Sequence, residues 1–202
     1  ATATPTATAT STSADLAINA AGPEVAAVGR TWRADQGYVV GSWGWVGTTS
    51  ELQASGTIRR TGQVMPTPEA YLYQTIRYGA NGFEYRAELP NGLYDLQLRF
   101  SEPTYSSSGL RVFHVDVEGQ RVVQNLDIYA KVGRNEAYDV DVGMSICDSV
   151  LSIDLVKNSS AGPVISALAA RQVSMDDPLN RIYRINAGGP SYTDTQGRLW
   201  LP

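Results

Sequence analysis

From Leu16 to Val173 the pattern is β throughout, with runs in which apolar and polar residues alternate with a period of two, the mark of strands that bury one face. Phe83-Glu84-Tyr85-Arg86-Ala87-Glu88-Leu89 is the clearest run, and Pro90-Asn91-Gly92 turns the chain after it. Leu93 to Phe100 resumes the alternation, with Tyr94, Leu96, Leu98 and Phe100 on one face. Arg111 to Glu118 sends Phe113, Val115 and Val117 inward, and Glu118-Gly119-Gln120 supplies the next turn. Tyr138, Val140 and Val142 alternate with Asp139 and Asp141; Leu151, Ile153 and Leu155 follow, and Ile165 to Val173 forms a closing strand. Helical periodicity is nearly absent, apart from a short turn predicted over Glu69 to Gln74. Many short strands joined by Gly and Pro turns predict an all-β sandwich.

The chain also repeats a phrase. INAAGPEVAAVGRTW at 18–32 returns as INAGGPSYTDTQGRLW at 185–200, with a spacer one residue longer. Ile18 and Ile185 lie one domain length apart, too far for a short-period solenoid. The expected organisation is a Thr/Ala/Pro-rich linker or tail over 1–14 and one domain over 15–173. A linker over 174–181 then leads to the first strand and loop of a second repeat over 182–202. In the tail, Thr fills every even position from Thr2 to Thr12, so an extended chain would carry all six on one face. That composition suits an extracellular linker, and the alternation equally suits a segment docked on a neighbouring subunit.

Net charge is −4 and Lys and Arg form no run, which excludes a nucleic-acid footprint. No apolar stretch approaches the ~20 residues of a membrane helix, so membrane insertion is not expected. The single cysteine, Cys147, sits in VGMSICDSV and reads as a small buried hydrophobe rather than a reactive thiol. The single histidine, His114, reads as a satisfied or solvated residue on the outward face of its strand, and no nucleophile-elbow phrase accompanies it. Asp116/Glu118 and Asp139/Asp141 are carboxylates two apart on strands, better read as solvated faces than as a glycosidase pair. A His- or Cys-rich metal site is excluded by count. Asp139, Asp141, Asp176 and Asp177 leave structural calcium open, without any calcium-loop spacing. No catalytic residue and no cofactor are expected.

What stands out is aromatic residues at loop-like positions. Trp43 and Trp45 flank Gly44 in a glycine-rich segment, Tyr78 follows Arg77, and Tyr105 lies just beyond the strand ending at Phe100. Aromatic faces stacked on sugar faces, with nearby Asn, Asp or Ser bonding hydroxyls, would let a sandwich hold a carbohydrate. Core packing is an equal alternative at each of these positions.

INAxGP at 18–23, LYQTIRYG at 72–79, GLYDLQLRFSE at 92–102, VFHVDVEGQRVVQNLDI at 112–128 and AGPVISALAARQV at 161–173 together resemble a malectin-like carbohydrate-binding domain. The likeness runs in order over 16–173. It implies a jelly-roll-like β-sandwich of the malectin or galactose-binding-like kind. The animal founder of this family binds glucose disaccharides through aromatics and an aspartate on loops at one end, and bacterial relatives occur in multi-domain surface and secreted proteins. By motif, the binding tyrosines fall on Tyr78 and Tyr105, and the aromatic of the early glycine loop on Trp43 or Trp45. Two positions depart from the pattern. Ser106 stands where a second aromatic is expected, and Asn158-Ser159-Ser160-Ala161-Gly162 has no carboxylate where the family has an aspartate, leaving Asn158 as the polar candidate. Each loss would remove roughly 1–3 kcal/mol of affinity. The resemblance implies a non-catalytic glycan-binding module of an exported or cell-surface protein. The alternative is a subunit of an extracellular fibre or adhesin stalk, assembled through residues 1–13 and 182–202 by strand addition, with a vestigial sugar site. A glycosidase fragment with its catalytic domain elsewhere is a third reading, for which these residues offer no positive sign.

Overall fold

The computed structural model describes residues 14–173 and the short strands Tyr192–Thr193 and Leu199–Trp200. The Thr-rich segment 1–13, the expected linker and most of the second copy lie outside the described residues. The chain divides into two compact units, Ala1–Gln172 and Val173–Pro202.

The first unit opens with β1 (Asp15–Asn19), β2 (Val25–Ala27), β3 (Arg30–Ala34), β4 (Trp43–Val46) and β5 (Ser50–Gln53). Next come β6 (Arg59–Arg60), β7 (Gln63–Val64), a 3-10 turn over Glu69–Tyr73, and β8 (Thr75–Tyr78). The long strands β9 (Phe83–Glu88), β10 (Gly92–Phe100), β11 (Phe113–Val117) and β12 (Gln120–Leu126) follow. A short helix α1 (Ile128–Val132) precedes β13 (Tyr138–Ile146), β14 (Val150–Lys157), β15 (Val164–Ile165) and β16 (Ala167–Gln172).

One sheet has the order β13-β10-β16-β1-β3-β2 and the other β12-β11-β14-β9-β4, with β15-β8-β5 forming a third, smaller sheet. All neighbours are antiparallel except β1 and β3, where Ile18 lies opposite Arg33 in parallel pairing. The inward positions of the two large sheets meet in one core. Leu16, Ile18, Tyr94, Leu96, Leu98, Phe100 and Leu168 come from one sheet. Phe83, Tyr85, Phe113, Val115, Val117, Leu151, Ile153 and Leu155 come from the other. These are the positions the alternation selects, and each large one contributes about 1.5–3 kcal/mol by leaving water.

The outer face of β1 and β16 is also dry. Ala17, Ala167 and Ala169 are buried there beneath Trp32, Ile58, Met65, Leu72 and Tyr73. Small side chains on the strands let the 54–74 segment pack closely. Tyr73 anchors this cover by donating to Asp139 Oδ1 at 2.6 Å and accepting from Arg99 at 2.9 Å and Arg60 at 2.7 Å. Asp139 is therefore a bonded partner of Tyr73 and Arg60, not a merely solvated carboxylate.

Several local expectations change. The closing segment splits: Val164–Ile165 pairs with β8 in the small sheet, and only Ala167–Gln172 joins the large one. Cys147 is exposed, because it falls in the bend after β13 where the alternation ends. His114 is buried despite its outward position, and its Nδ1 accepts the Asn125 N–H at 3.0 Å. The register between β11 and β12 is irregular beside it, and Asn125 of β12 bonds the ring. Trp43-Gly44-Trp45 is a strand rather than a loop. Gly44, at φ +150°, is the residue on which the Gln36–Tyr38 backbone lies, and a side chain there would strike Gln36 O. Tyr38 N donates to Trp45 O at 2.9 Å across that contact.

Candidate functional site

One end of the sandwich collects the loops that leave β8, β10 and β14 and those that enter β9 and β11. Register fixes this: Phe83 at the start of β9 faces Leu155, and Phe113 at the start of β11 faces Lys157. Tyr78 at the end of β8, Tyr105 in the loop after β10, and Asn158 directly after β14 therefore share that end. The group at its centre is Arg111, buried just before β11. Its guanidinium carbon lies 5.4 Å from the Tyr78 ring centroid and 5.0 Å from that of Tyr105. Both rings are half-buried. One cation thus serves two aromatic faces, each contact being worth about 0.5–2 kcal/mol.

Arg111 is held in turn. Its Nε donates to Glu102 Oε2 at 2.7 Å, with the two side chains 3% and 1% exposed, and its Nη1 donates to the Gly162 carbonyl. The other oxygen of Glu102 accepts the backbone N–H groups of Thr104 at 2.9 Å and Tyr105 at 3.1 Å, which fixes the turn that carries the tyrosine. Gly162 lies so close to Gly79 that a Cβ would collide with the Gly79 carbonyl, and Gly79 N donates to Pro163 O at 3.2 Å. A buried ion pair and one backbone contact therefore join three loops that are distant in sequence.

Amide and hydroxyl side chains supply most of the polar wall. Asn158 is exposed; its Nδ2 donates to Asn125 Oδ1 at 2.7 Å, and its backbone donates to Val112 O at 3.1 Å. Asn125 also bonds the imidazole of His114. Ser159 Oγ accepts from Val112 N at 2.8 Å, while Ser160, Ser106, Ser107 and Ser108 are exposed. Asp127 caps α1 by accepting from Ala130 N at 2.9 Å and also accepts from Gly109 N at 2.6 Å. Glu102 beneath the tyrosines and Asp127 at the start of α1 are thus both committed to structural bonds. Two half-exposed rings above a neutralised base, bordered by hydroxyls and amides, suit a neutral polyhydroxylated ligand.

The tryptophans do not join this group. Trp43 lies opposite Ala87 and Trp45 opposite Tyr85. With Phe83 marking the loop end, Trp43 sits about 13 Å further along the strand. Trp45 covers a buried ion pair, with the Arg77 guanidinium 5.0 Å from its ring. Arg77 donates to Asp35 Oδ2 at 2.7 and 2.9 Å, and Tyr85 donates to the same oxygen at 2.9 Å. Burial, then the Asp35 charge, raises the Tyr85 hydroxyl well above the ordinary tyrosine range, so it stays a donor. Two cavities open away from the loop end. One of about 410 Å³ is lined by Tyr38, Glu84, Arg86, Glu118 and Ser152; the other, of about 330 Å³, adjoins Trp43. The carboxylates expected to be solvated are individually engaged: Asp116 pairs with Arg121 at 2.7 Å, and Glu118 accepts from Ser152 N at 2.8 Å.

The sequence profile of the Malectin domain family matches residues 14–178. The chain belongs to that family. Mouse Malectin is 35% identical over 126 residues, covering 55% of this chain and 43% of that protein. Xenopus laevis Malectin-A is 33% identical over 120 residues, covering 52% and 44%. The chain thus spans under half the length of these relatives. Among solved structures, Bacteroides uniformis beta-glucuronidase superposes with a TM-score of 0.68 at 23% identity, over 80% of this chain and 18% of that one. The ANX2 ectodomain from Arabidopsis thaliana gives 0.66 at 18% identity, over 79% and 50%. At those identities the likeness speaks to the fold alone, a β-sandwich domain embedded in longer chains. Within this malectin domain Tyr78 and Tyr105 are brought together as the motifs imply, and Ser106 and Asn158 stand in the two places where the pattern departs. Arg111 and Glu102 were not legible as site residues. The signals available were only a basic residue ahead of an apolar strand and an acidic one at the end of RFSE.

Proposed function

We propose that this malectin domain is a non-catalytic carbohydrate-binding module of an exported or cell-surface protein. Its ligand, a neutral glucose-type glycan, lies across Tyr78 and Tyr105. The observation that carries the reading is the placement of both tyrosines around the buried Arg111–Glu102 pair, with hydroxyl and amide side chains beside them. Membership of the malectin family supports the ligand class. A glycosidase would need two carboxyls about 5–9.5 Å apart and available to substrate, whereas Glu102 and Asp127 are spent on backbone and guanidinium donors. The extracellular setting is part of this proposal. Among the described residues, no helix is long and apolar enough to cross a membrane.

A second reading concerns the repeat. In the first unit Val25 pairs with Trp32 and Ala26 with Thr31. In the second, Tyr192 pairs with Trp200 and Thr193 with Leu199. These are the equivalent positions of the duplicated phrase, in the same register across a loop one residue longer. This supports a second malectin-type unit beginning near Ile182, and hence a tandem array. Assembly through residues 1–13 and 182–202 is an extension of that reading.

The test is calorimetric titration of the whole chain with maltose and cellobiose, beside Tyr78→Ala and Tyr105→Ala. Each substitution is expected to weaken binding at least tenfold, about 1.4 kcal/mol. Wild-type protein that binds neither sugar, or variants that bind as well as wild type, would overturn the assignment.

A further inference from the structure

We infer a second saccharide subsite in the cavity beside Trp43, separate from the Tyr78–Tyr105 end. The cavity, about 330 Å³, is lined by residues of both large sheets. Asp15 and Arg33 come from β1 and β3 of one sheet; Trp43 and Glu88 come from β4 and β9 of the other. Leu89 and Pro90 complete an apolar wall with the indole. The volume falls at the lower end of the roughly 300–1,000 Å³ typical of small-molecule sites.

Its chemistry is that of a site and not only of a packing defect. Arg33 is exposed and has no carboxylate partner among the described residues; its guanidinium carbon lies 4.5 Å from the Trp43 ring centroid. An aromatic face thus holds the donor fork at the cavity without neutralising it. Glu88 accepts from Tyr38 Oη at 3.0 Å and from Gly41 N, both through Oε1, which leaves Oε2 free of partners among the described residues. Asp15 meets Arg30 through Oδ1 only, at 3.4 Å. The Trp43 Nε1–H is buried and has no acceptor among the described residues.

The cavity therefore offers an apolar wall, a guanidinium stacked on the indole, and two carboxylate oxygens with lone pairs to fill. A ligand that matches needs an apolar plane rimmed by groups that both donate and accept, which describes the face and hydroxyls of a neutral sugar. The two carboxylates disfavour an anionic sugar, and a purely apolar ligand would strand every polar group present. Trp43, one of the two tryptophans that the motif offered for the loop end, thereby acquires a site of its own.

The experiment is an amide and indole N–H chemical-shift titration of the whole chain with maltose, cellobiose and xylobiose. Saturable shifts are expected at the Trp43 indole, Ser42 and Glu88. Arg33→Ala combined with Glu88→Gln should weaken those at least tenfold, while Tyr78→Ala leaves them unchanged. Arg33→Lys, which keeps the charge and loses the fork, should fall between. If none of the three sugars moves these resonances, or if the double variant responds like wild type, the subsite is refuted. Shifts at Gly79, Tyr105 and Ser159 report the loop end separately, so the two assignments can fail independently.

Discussion

Removing the Arg111 side chain is the most direct challenge to the architecture of the loop end. In Arg111→Met the methylenes are kept and the guanidinium is lost, so Glu102 is left ionised with its side chain 1% exposed. Two backbone N–H groups still reach its other oxygen, but the charge has no counterion. Breaking one member of a buried pair costs about 3–5 kcal/mol. That is a large part of the 5–15 kcal/mol that holds an ordinary domain folded. At about 2–4 °C per kcal/mol for a chain of this length, the melting temperature should fall by about 6–20 °C. Urea unfolding measures the loss directly, and an unchanged slope would confirm that only stability moved. The decisive comparison is Arg111→Met with Glu102→Gln. The second change removes the stranded charge, so the double variant should be more stable than Arg111→Met alone, although it carries one more substitution. Glucan affinity should fall in both, because both lose the cation shared by Tyr78 and Tyr105. If the double variant is the less stable, or if Arg111→Met costs under about 1 kcal/mol as a surface ion pair would, the pair is not isolated from water and the argument fails.

Two further predictions probe the frame elsewhere. Glu84, Asp154 and Asp116 stand directly opposite one another on β9, β14 and β11. Burial, then the Glu84 charge, raises the Asp154 carboxyl above its ordinary value. Ionised Asp154 therefore opposes folding above that raised pKa, and the penalty disappears as pH falls through it towards the unfolded-state value. Asp154→Asn should stabilise by about 0.5 kcal/mol near pH 7, discounted for solvent screening. Urea midpoints should show that gain vanishing near pH 3; a destabilised variant at neutral pH would mean that Arg86 holds Asp154 in place. At the loop end, Gly162→Ala would drive a methyl into the Gly79 carbonyl, so it should cost about 1–3 kcal/mol and weaken glucan binding. Gly143→Ala, where a Cβ meets nothing within 4 Å, is the matched control and should change neither unfolding midpoint nor titration.

The core was legible because it is built from one local rule. Tyr94, Leu96, Leu98 and Phe100 read inward from alternation and are all at most 1% exposed. Alternation fails where burial is decided by something other than the strand's own face. His114 lies at an outward position yet is buried, beside an irregular stretch of the β11–β12 register where Asn125 bonds its ring. Cys147 has apolar neighbours yet is exposed, because the chain bends just beyond Ile146. Trp43-Gly44-Trp45 reads as a loop because glycine and bulky rings suggest one, whereas the glycine serves a backbone crossing. Helix α1 is too short for periodicity to reveal and is set by the Asp127 cap. The motifs point to Tyr78 and Tyr105, whose rings lie around one guanidinium, and nothing local could connect Arg111 to Glu102 and Gly162, since that contact exists only once three loops have met.

That division between local and assembled features suggests how the loop end can vary. Glu102, Arg111, Gly79 and Gly162 form its frame, and each is buried and tied by contacts that a substitution would break. Ser106, Ser107, Ser108 and Ser160 are exposed, and the bonds of Asn158 run outward to Asn125 and Val112 rather than into the frame. Replacing a residue of the second group leaves no buried charge or backbone clash behind, so its energetic effect is confined to the ligand. Ser106 in the position of an aromatic, and Asn158 in a loop that lacks a carboxylate, are changes of this kind. If the proposed ligand binds here, they would alter which hydroxyls can be met and how strongly, while Arg111 keeps Tyr78 and Tyr105 around one guanidinium. On the proposed assignment, the exposed rim would set specificity, and the buried ion pair beneath it would hold the two rings in place.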